Sequence, residues 1–294
     1  MRNIDFVKLF KYFSVLSLIL VGGTIVLFFT KGLNYGVDFR GGVEIQVKFE
    51  ESVEAGELRE KLNDLYLSQL QSIGEASQNE FLLKLESDDM DLNVLSAKVE
   101  EVLSNHYGQG RFEILKTDIV GPKAGEELRT SAFKAIAWAI LAIMIYLALR
   151  FDYKFAPGAV VALIHDVVII IGVFILTEKE FSLQIVAALL AIIGYSVNDT
   201  VVIYDRVREV EKEHPHLSSL EVINRSINET MARTINTSLT TLAVSVVMLI
   251  WGGSVIHDFF FAMAVGLVLG VYSTIFIAVP MTVLFEKVTN KKTA

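Results

Sequence analysis

Six long apolar runs alternate with polar stretches along the chain and define its predicted architecture. They fall at about 12–30, 131–149, 157–177, 181–204, 234–252 and 258–285. Each run has about 18 or more largely apolar residues, the length that an α-helix needs to cross the hydrocarbon core of a bilayer. The first run is longer than the apolar segment of a signal peptide, and no small-x-small cleavage site follows it before Lys31. The pattern therefore predicts a polytopic α-helical membrane protein with six transmembrane helices, the first of them uncleaved.

The polar stretch between the first and second runs has the patterning of a small α+β domain. Period-two alternation predicts strands, and apolar spacings of three and four residues predict helices. The predicted elements are a strand at 43–49, a helix at 53–67, strands near 69–76 and at 81–86 around a turn at Gln78–Asn79, a helix at 91–108 and a strand at 111–121. This β-α-β-β-α-β order is that of the ferredoxin-like split motif.

Three parts are therefore expected along the chain. Residues 1–30 form the N-terminus and first span, residues 31–129 the α+β domain, and residues 130–294 a bundle of five helices. Three glycines, Gly36, Gly41 and Gly42, lie where the first span gives way to the first strand, and they predict a tight turn or a close backbone approach.

Composition and charge fit a membrane protein with one soluble insert. Of the 294 residues, 53% are hydrophobic, and the mean hydropathy is +0.50. The net charge of −8 comes from the insert, because residues 31–129 hold 20 acidic and 11 basic residues. The chain has no cysteine, which excludes disulfides, thiol nucleophiles and cysteine-ligated metals. It has no basic face or zinc pattern either, so we expect no nucleic-acid binding.

Basic residues near the ends of the runs predict the orientation in the membrane. If the spans alternate, four groups of Lys and Arg fall on one side, whereas the opposite short loops hold only Lys179. The four groups are Arg2, Lys8 and Lys11; Arg150 and Lys154; Arg206, Arg208, Lys212 and Arg225; and Lys287, Lys291 and Lys292. Both termini are therefore expected in the cytoplasm, with the α+β domain on the other side.

The fourth run carries the first of three polar clusters at membrane depth, namely Asn198, Asp199 and Thr200. An acid at the centre of a lipid-embedded helix costs about 2.5–3.5 kcal/mol on insertion scales, so such groups usually face a bundle interior and mark an ion or proton path. One helical face combines small and polar residues: Gln184, Ala187, Ala188, Ala191, Gly194, Tyr195, Asn198 and Asp199. We expect this face to meet protein and the opposite, apolar face to meet lipid. Alternatively, Asp199 lies at headgroup level and ends the span.

The second and third clusters lie on the fifth and third runs. The fifth run carries Arg233, Asn236, Thr237, Thr240 and Thr241, so that an Arg leads a hydroxyl-rich helix face that either meets polar groups or lets Arg233 extend to the interface. The third run carries His165 and Asp166, which either serve function or each hydrogen-bond a different structural neighbour. If Asp199 lies opposite Arg233, burial and a nearby positive charge would act on one carboxyl group, as a proton carrier requires.

The sixth run has small residues at every fourth position, namely Ala262, Gly266, Gly270, Thr274 and Ala278. The Gly266-x-x-x-Gly270 pair is a small-residue packing face, which fits a neighbouring span of this chain or of a partner. Packing within the chain is the preferred interpretation.

Four strings in the sequence resemble the SecF family, the smaller membrane subunits of the bacterial SecDF component of the Sec preprotein translocase. They are GVDFRGG (36–42), ALIHDVVIIIG (162–172), GYSVNDTVVIYDRVRE (194–209) and NETMARTINTSLTT (228–241). The resemblance covers nearly the whole chain and includes the arrangement of one span, an insert and five spans. The family belongs to the resistance-nodulation-division (RND) superfamily, whose twelve spans form two six-span halves. This chain resembles one half, and SecD supplies the other.

The resemblance implies a role in which proton flow drives completion of protein export. Asp199 would be the proton-carrying carboxylate of this half and Arg233 its basic neighbour. The implied partners are SecD, the Sec preprotein-conducting channel and the translocating preprotein, and the implied location is the bacterial cytoplasmic (inner) membrane. One position departs from the family, because Arg40 stands where the glycine-rich string usually has Thr.

Three other classes of function compete with this one, and the sequence leaves one of them open, a passive scaffold for other Sec subunits. An RND-type proton-driven exporter of small molecules or lipids shares the architecture, but the insert is too small for an enlarged porter region. An enzyme is not expected: Asp199 lacks the Gly-x-Gly-Asp setting of intramembrane aspartyl proteases, and the chain has neither a Walker A string nor a His-Glu-x-x-His motif. No catalytic residue, metal or cofactor is predicted.

Overall fold

Long helices make up most of the computed structural model, which describes residues 4–73, 79–86, 91–151 and 155–292. Within these ranges, six helices are long and apolar enough to cross a membrane, as predicted. They are α1 (Phe6–Thr30), α5 (Pro122–Arg150), α6 (Ala156–Thr177), α7 (Leu183–Glu213), α8 (Ser219–Trp251) and a last span that combines α9 (Ser254–Ser273), a π-helical segment (Thr274–Ala278) and α10 (Val279–Lys292).

The α+β domain is inserted after α1 and a short helix, α2 (Val37–Arg40). In chain order it contains β1 (Gly42–Phe49), α3 (Ala55–Leu62), β2 (Leu67–Ile73), β3 (Glu80–Leu85), α4 (Leu92–Tyr107) and β4 (Phe112–Val120). The sheet order is β2-β3-β1-β4, and every neighbouring pair is antiparallel. The order β-α-β-β-α-β is the predicted one, while the ferredoxin-like assignment stays an interpretation. The predicted second strand and turn extend into residues 74–78, which lie outside the described ranges.

One face of the sheet and two helices enclose the core of this domain. Alternate residues of β1, from Val43 to Phe49, are buried because successive strand side chains point to opposite faces. They pack against leucines and valines at helical spacing, namely Leu58 and Leu62 on α3 and Leu95, Val99 and Leu103 on α4. The first helix is shorter than predicted: α3 ends at Leu62, and a single 3-10 turn and a left-handed Tyr66 (φ 58°) lead into β2.

Helix α5 joins the sheet to the membrane body without a flexible linker. It begins at Pro122, two residues after β4 ends, and it runs unbroken to Arg150. Proline suits the first helical turn because its missing N–H would have no partner there. The predicted domain boundary at residue 129 therefore falls inside a continuous helix.

Three of the spans form the centre of the membrane body. More than half of the apolar stretch is buried in α6 (61%), α7 (56%) and the last span (56%), but only 11% in α1 and 17% in α5 and in α8. The exposed faces of α7 and α8 carry some of the polar residues described next, and others of them are buried between helices.

Candidate functional site

Asp199 is a buried carboxyl group on α7. Its side chain belongs to a residue that is only 3% exposed, and Ser238 of α8 donates a hydrogen bond from Oγ to Asp199 Oδ2 at 3.2 Å. Helix α7 continues through Glu213, so Asp199 does not end the helix. The atoms of this chain cover the residue almost completely, and the exposed Asn198 lies next to it on the same helix.

Arg233 lies near Asp199 without forming an ion pair with it. Its side chain is exposed on α8, and no nitrogen–oxygen pair of the two residues comes within 4.0 Å. The guanidinium charge nevertheless acts on the Asp199 carboxyl at longer range. In this conformation the two predicted partners are therefore not in contact, but their charges interact across the gap.

The other predicted polar residues on α7 and α8 divide into two groups. Asn198 and Asn236 are exposed, whereas Thr200 is buried and shares a 2.9 Å hydrogen bond with Thr274 of the last span. Thr237 donates to the carbonyl of Arg233 at 3.0 Å, within its own helix.

The small and polar face of α7 is the open face within this chain. Gln184, Ala187, Ala191, Gly194 and Asn198 are exposed, whereas the large apolar residues Ile185, Val186, Leu189, Ile192 and Ile193 are buried. Within the described residues the prediction is thus wrong for five of the eight face residues, because the apolar face packs against α6 and α9, whereas Ala188, Tyr195 and Asp199 are buried or half-buried. Periodicity distinguishes two faces of a helix but does not say which one packs within the same chain.

Asp166 is the centre of a second buried polar cluster, which ties three helices together. Its Oδ2 accepts hydrogen bonds from Ser196 of α7 at 2.9 Å and from Ser273 of α9 at 2.7 Å. Its Oδ1 lies 3.1 Å from Nδ1 of His165. The adjacent His and Asp therefore bond to each other, in contrast to the structural alternative in which each bonds a different neighbour. The His165 Nε2 atom is buried with no hydrogen-bond partner among the described residues.

Sequence reasoning missed the hydroxyl groups that complete these clusters. Ser238, Ser196 and Ser273 bond the two buried carboxyl groups. Their only signal in the sequence is a hydroxyl group inside an apolar run. Serine is common in such runs because it also bonds the backbone of its own helix.

The small-residue face of the last span packs within this chain. A methyl group added at Gly266 would collide with Ile192 of α7, and one added at Gly270 would lie 3.3 Å from Ser196. This packing brings Ser273 and Thr274 within hydrogen-bonding distance of the α6 and α7 groups that they bond.

The glycine-rich string forms the base of the α+β domain. Gly41 (φ +86°) turns the chain against Pro122, and Gly42 (φ +150°) lies against the carbonyl of Leu85, where a larger residue would clash. Between the predicted turn glycines the chain forms the short helix α2. Arg40, the residue that departs from the family pattern, pairs with Glu86 at 3.1 Å.

The clusters consist of carboxyl groups that accept hydrogen bonds from serine hydroxyls. Within the described ranges, no three His, Asp or Glu side chains converge as metal ligands would. What the arrangement can do chemically is to hold or release a proton at a carboxyl group inside the membrane body.

Two family models match the chain. Protein export membrane protein SecD/SecF, C-terminal, matches residues 98–288, and the SecD/SecF GG motif matches residues 26–53, which include the glycine-rich string. A protein translocase subunit SecF from Calditerrivibrio nitroreducens is 39% identical over 98% of this chain and 96% of its own length. The SecF of Desulfurispirillum indicum is 41% identical over 94% of this chain and 89% of its own length.

Solved structures of SecDF match the whole fold. The crystal structure of SecDF, a translocon-associated membrane protein from Thermus thermophilus, aligns with a TM-score of 0.81 at 36% identity, over 97% of this chain and 39% of that chain. A SecDF structure in a super-membrane-facing form aligns with a TM-score of 0.74 at 35% identity, over 100% of this chain and 40% of that one. The chain thus spans about two fifths of those SecDF chains.

Proposed function

Because the chain belongs to the SecF family of protein translocase subunits, we propose that it works with SecD to couple proton flow across the membrane to completion of protein export. Its family membership and six apolar helices make it a multi-pass membrane protein of the export machinery. In this proposal the membrane is the bacterial inner membrane, both termini are cytoplasmic, and the α+β domain is on the outside. The Sec channel and the translocating preprotein are the other partners.

The observation that carries the proposal is the position of Asp199 beside an open polar face. The carboxyl group is buried, and among the described residues it has one serine hydrogen bond and no cation within 4.0 Å. An ionised carboxylate in such a place is unfavourable unless it is paired, so proton binding and movement of a nearby charge are linked. Arg233 supplies that charge from the adjacent helix.

The open face of α7 and α8 fits a second six-span half. Small residues on α7 allow close helix packing, and the exposed Arg233 and Asn236 on α8 require polar groups in place of acyl chains. SecD would cover this face and enclose Asp199 and Arg233 at the contact between the halves. A proton path would then run along that contact.

The available energy suits a conformational change. A proton crossing 100 mV releases about 2.3 kcal/mol, and a pH difference of one unit adds about 1.4 kcal/mol. Free energies of this size bias a two-state equilibrium substantially. Alternating protonation of Asp199 would favour two arrangements of the spans in turn, and the α+β domain would follow.

Asp199→Asn is the direct test, because asparagine keeps the shape and the hydrogen bond from Ser238 but carries no titratable proton. Proton flux is measured in proteoliposomes that contain the chain and SecD, together with preprotein export in vesicles. We expect flux to fall to the background of protein-free liposomes and export to lose its dependence on the proton gradient. Asp205→Asn is the matched control, since Asp205 is on the same helix but is partly exposed, 3.6 Å from Arg150. Full flux in Asp199→Asn would contradict the proposal.

A further inference from the structure

The segment that enters the α+β domain is bonded to the segment that enters α7. The backbone N–H of Gly36 donates to the carbonyl of Phe181 at 3.0 Å, and the N–H of Phe181 donates to the carbonyl of Asn34 at 2.7 Å. Tyr35 and Phe181 thereby form a parallel β-bridge. Two loops far apart in sequence are thus held together through their backbones.

Asp38 caps the N-terminus of α7 from outside that helix. The N–H of Leu183, the first residue of α7, donates to Asp38 Oδ2 at 2.9 Å, while the side chain of the N-cap residue Ser182 makes no capping bond. The first N–H groups of a helix need acceptors, and a carboxylate there also matches the positive end of the helix dipole. The glycine-rich string therefore supplies the capping carboxylate that the N-cap residue of α7 does not provide.

A shielded ion pair makes the third connection, from the sheet itself. Lys84 Nζ of β3 lies 2.5 Å from Glu180 Oε2, and the two side chains are 12% and 11% exposed. Glu44 of β1 lies 3.6 Å from the same ammonium group. Because this pair is largely removed from water, it is screened much less than a surface pair.

An aromatic cluster fills the space around these bonds. Phe181 is 1% exposed and contacts four rings at centroid distances of 6.0–6.5 Å, namely Phe39, Phe133, Tyr35 and Phe174. Buried ring packing of this kind resists shear between the elements that contribute to it. We call the set Asp38, Lys84, Glu180 and Phe181 the junction.

We propose that the junction transmits movement of α7 to the α+β domain, with the N-terminal end of α7 and the base of the sheet moving as one body. The inference rests on the proposed function, because Asp199 lies on the same helix, about 24 Å from Leu183 at 1.5 Å per residue. A continuous helix carries displacement over that distance. Proton binding at Asp199 thus shifts the sheet through Asp38 and Lys84, and these two residues position the domain without taking part in proton transfer.

The first experiment weakens the junction and measures flux and export separately. Asp38→Ala with Lys84→Met removes the cap and the ion pair, in the chain reconstituted with SecD. We expect proton flux within twofold of the wild type and proton-driven export reduced at least fivefold. The control is Lys48→Met, which removes an ion pair with Glu80 (3.3 Å) inside the sheet and should change neither quantity.

The outcomes separate this proposal from the proposed function. If the double variant exports as well as the wild type, the junction does not transmit movement. If flux falls with export, the junction supports the proton site itself, and the transmission proposal is also overturned. If wild-type proteoliposomes carry no flux that depends on Asp199, the proposed function fails first, whatever the junction variants do.

A reversible cross-link tests whether the junction is rigid. Because the chain has no cysteine of its own, the two introduced cysteines can pair only with each other within the chain. Bridged backbones lie about 4.8 Å apart, which suits a disulfide, so Tyr35→Cys with Phe181→Cys can lock the β-bridge. Oxidised and reduced samples of this one variant are compared, so the loss of the two rings affects both equally. We expect equal export in both states. Loss of export on oxidation, recovered with reductant, would show that the junction must open and would overturn the one-body proposal.

Discussion

At the scale of single residues, the buried carboxyl groups differ in how fully they are hydrogen-bonded. Asp166 is 1% exposed and has partners on both oxygens, from His165, Ser196 and Ser273. Within the part of the chain that the structure describes, Asp199 has one side-chain partner, Ser238, and an open polar face beside it. A fully satisfied buried group rigidifies its surroundings, whereas a partly satisfied one is free to change partners. This contrast gives Asp166 the bonds of a residue that joins three helices, and it supports the proposal that Asp199 exchanges protons.

Replacing Asp166 should therefore affect stability according to the bonds that survive. Asp166→Asn keeps an oxygen that can accept the hydrogen bonds of Ser196 and Ser273. Asp166→Leu removes this acceptor and leaves both hydroxyl groups buried. We expect Leu to lower the free energy of unfolding by about 1–3 kcal/mol more than Asn does, as measured by thermal unfolding in detergent. Asp205→Leu, at a partly exposed site, should cost much less. Equal losses for Asn and Leu would mean that the hydrogen bonds do not matter.

Glu44 gives the α+β domain a specific dependence on pH. Burial raises the pKa of Glu44 above its usual 4.5, and the charge of Lys84 offsets this only in part, with Asp38, Lys116 and Asp118 as weaker influences. Since the folded state holds this proton more tightly than the unfolded state, the Glu44 contribution to stability falls as pH rises from 4.5 through the raised pKa.

Glu44→Gln has no proton to lose and should lack that decline. Relative to the wild type, the variant should become progressively more stable as pH rises above about 4.5, and the difference should then level off. Hydrogen exchange of β1 and β3 amides in the full chain measures this, because comparison at equal pH cancels the intrinsic pH dependence of exchange. A difference that is constant across the series would contradict the assignment.

At the scale of elements, small residues decide how closely the last span approaches α7. Gly266 packs against Ile192 and Gly270 against Ser196, and this approach places Ser273 and Thr274 beside their partners. The π-helical segment Thr274–Ala278 follows directly. Such segments carry one extra residue per turn and are frequent at functional sites.

Filling the α7–α9 contact should destabilise the bundle. Gly266→Leu would force Ile192 aside, and overpacking of this kind typically costs about 1–3 kcal/mol. Gly22→Leu is the control, because nothing lies within 4 Å of a side chain added at Gly22. Thermal unfolding in detergent should show a lower midpoint for Gly266→Leu alone. Equal midpoints would show that the two helices separate at little cost.

The sequence allowed prediction of element types much better than of their bounds and contacts. A bilayer demands a long apolar run for each helix, so all six spans could be found from hydropathy. The ends of the spans could not be found in this way, because α5 begins at Pro122 and α7 ends at Glu213, both within polar sequence. The Asp166 cluster joins three helices, and its bonds depend on helix rotation, on which hydropathy carries little information.

At the scale of the whole molecule, the membrane body has a packed centre and one exposed face that carries polar residues. Its α6, α7 and last span form a packed centre, and α7 and α8 leave small and polar residues open beside Asp199 and Arg233. The matched SecDF structures are more than twice as long as this chain. The proposed second six-span half would account for both facts, and it would cover the α7 face that sequence reasoning assigned to protein.

The open face also has a consequence for how the cell must manage the supply of this subunit. A copy without its counterpart would hold a guanidinium and an amide, those of Arg233 and Asn236, against hydrocarbon, which is unfavourable. If the proposed counterpart covers this face, surplus copies would be the ones open to quality-control proteolysis, and matched synthesis of the two halves would protect both. In this way the chemistry of one helix face would set the stoichiometry of the proposed assembly.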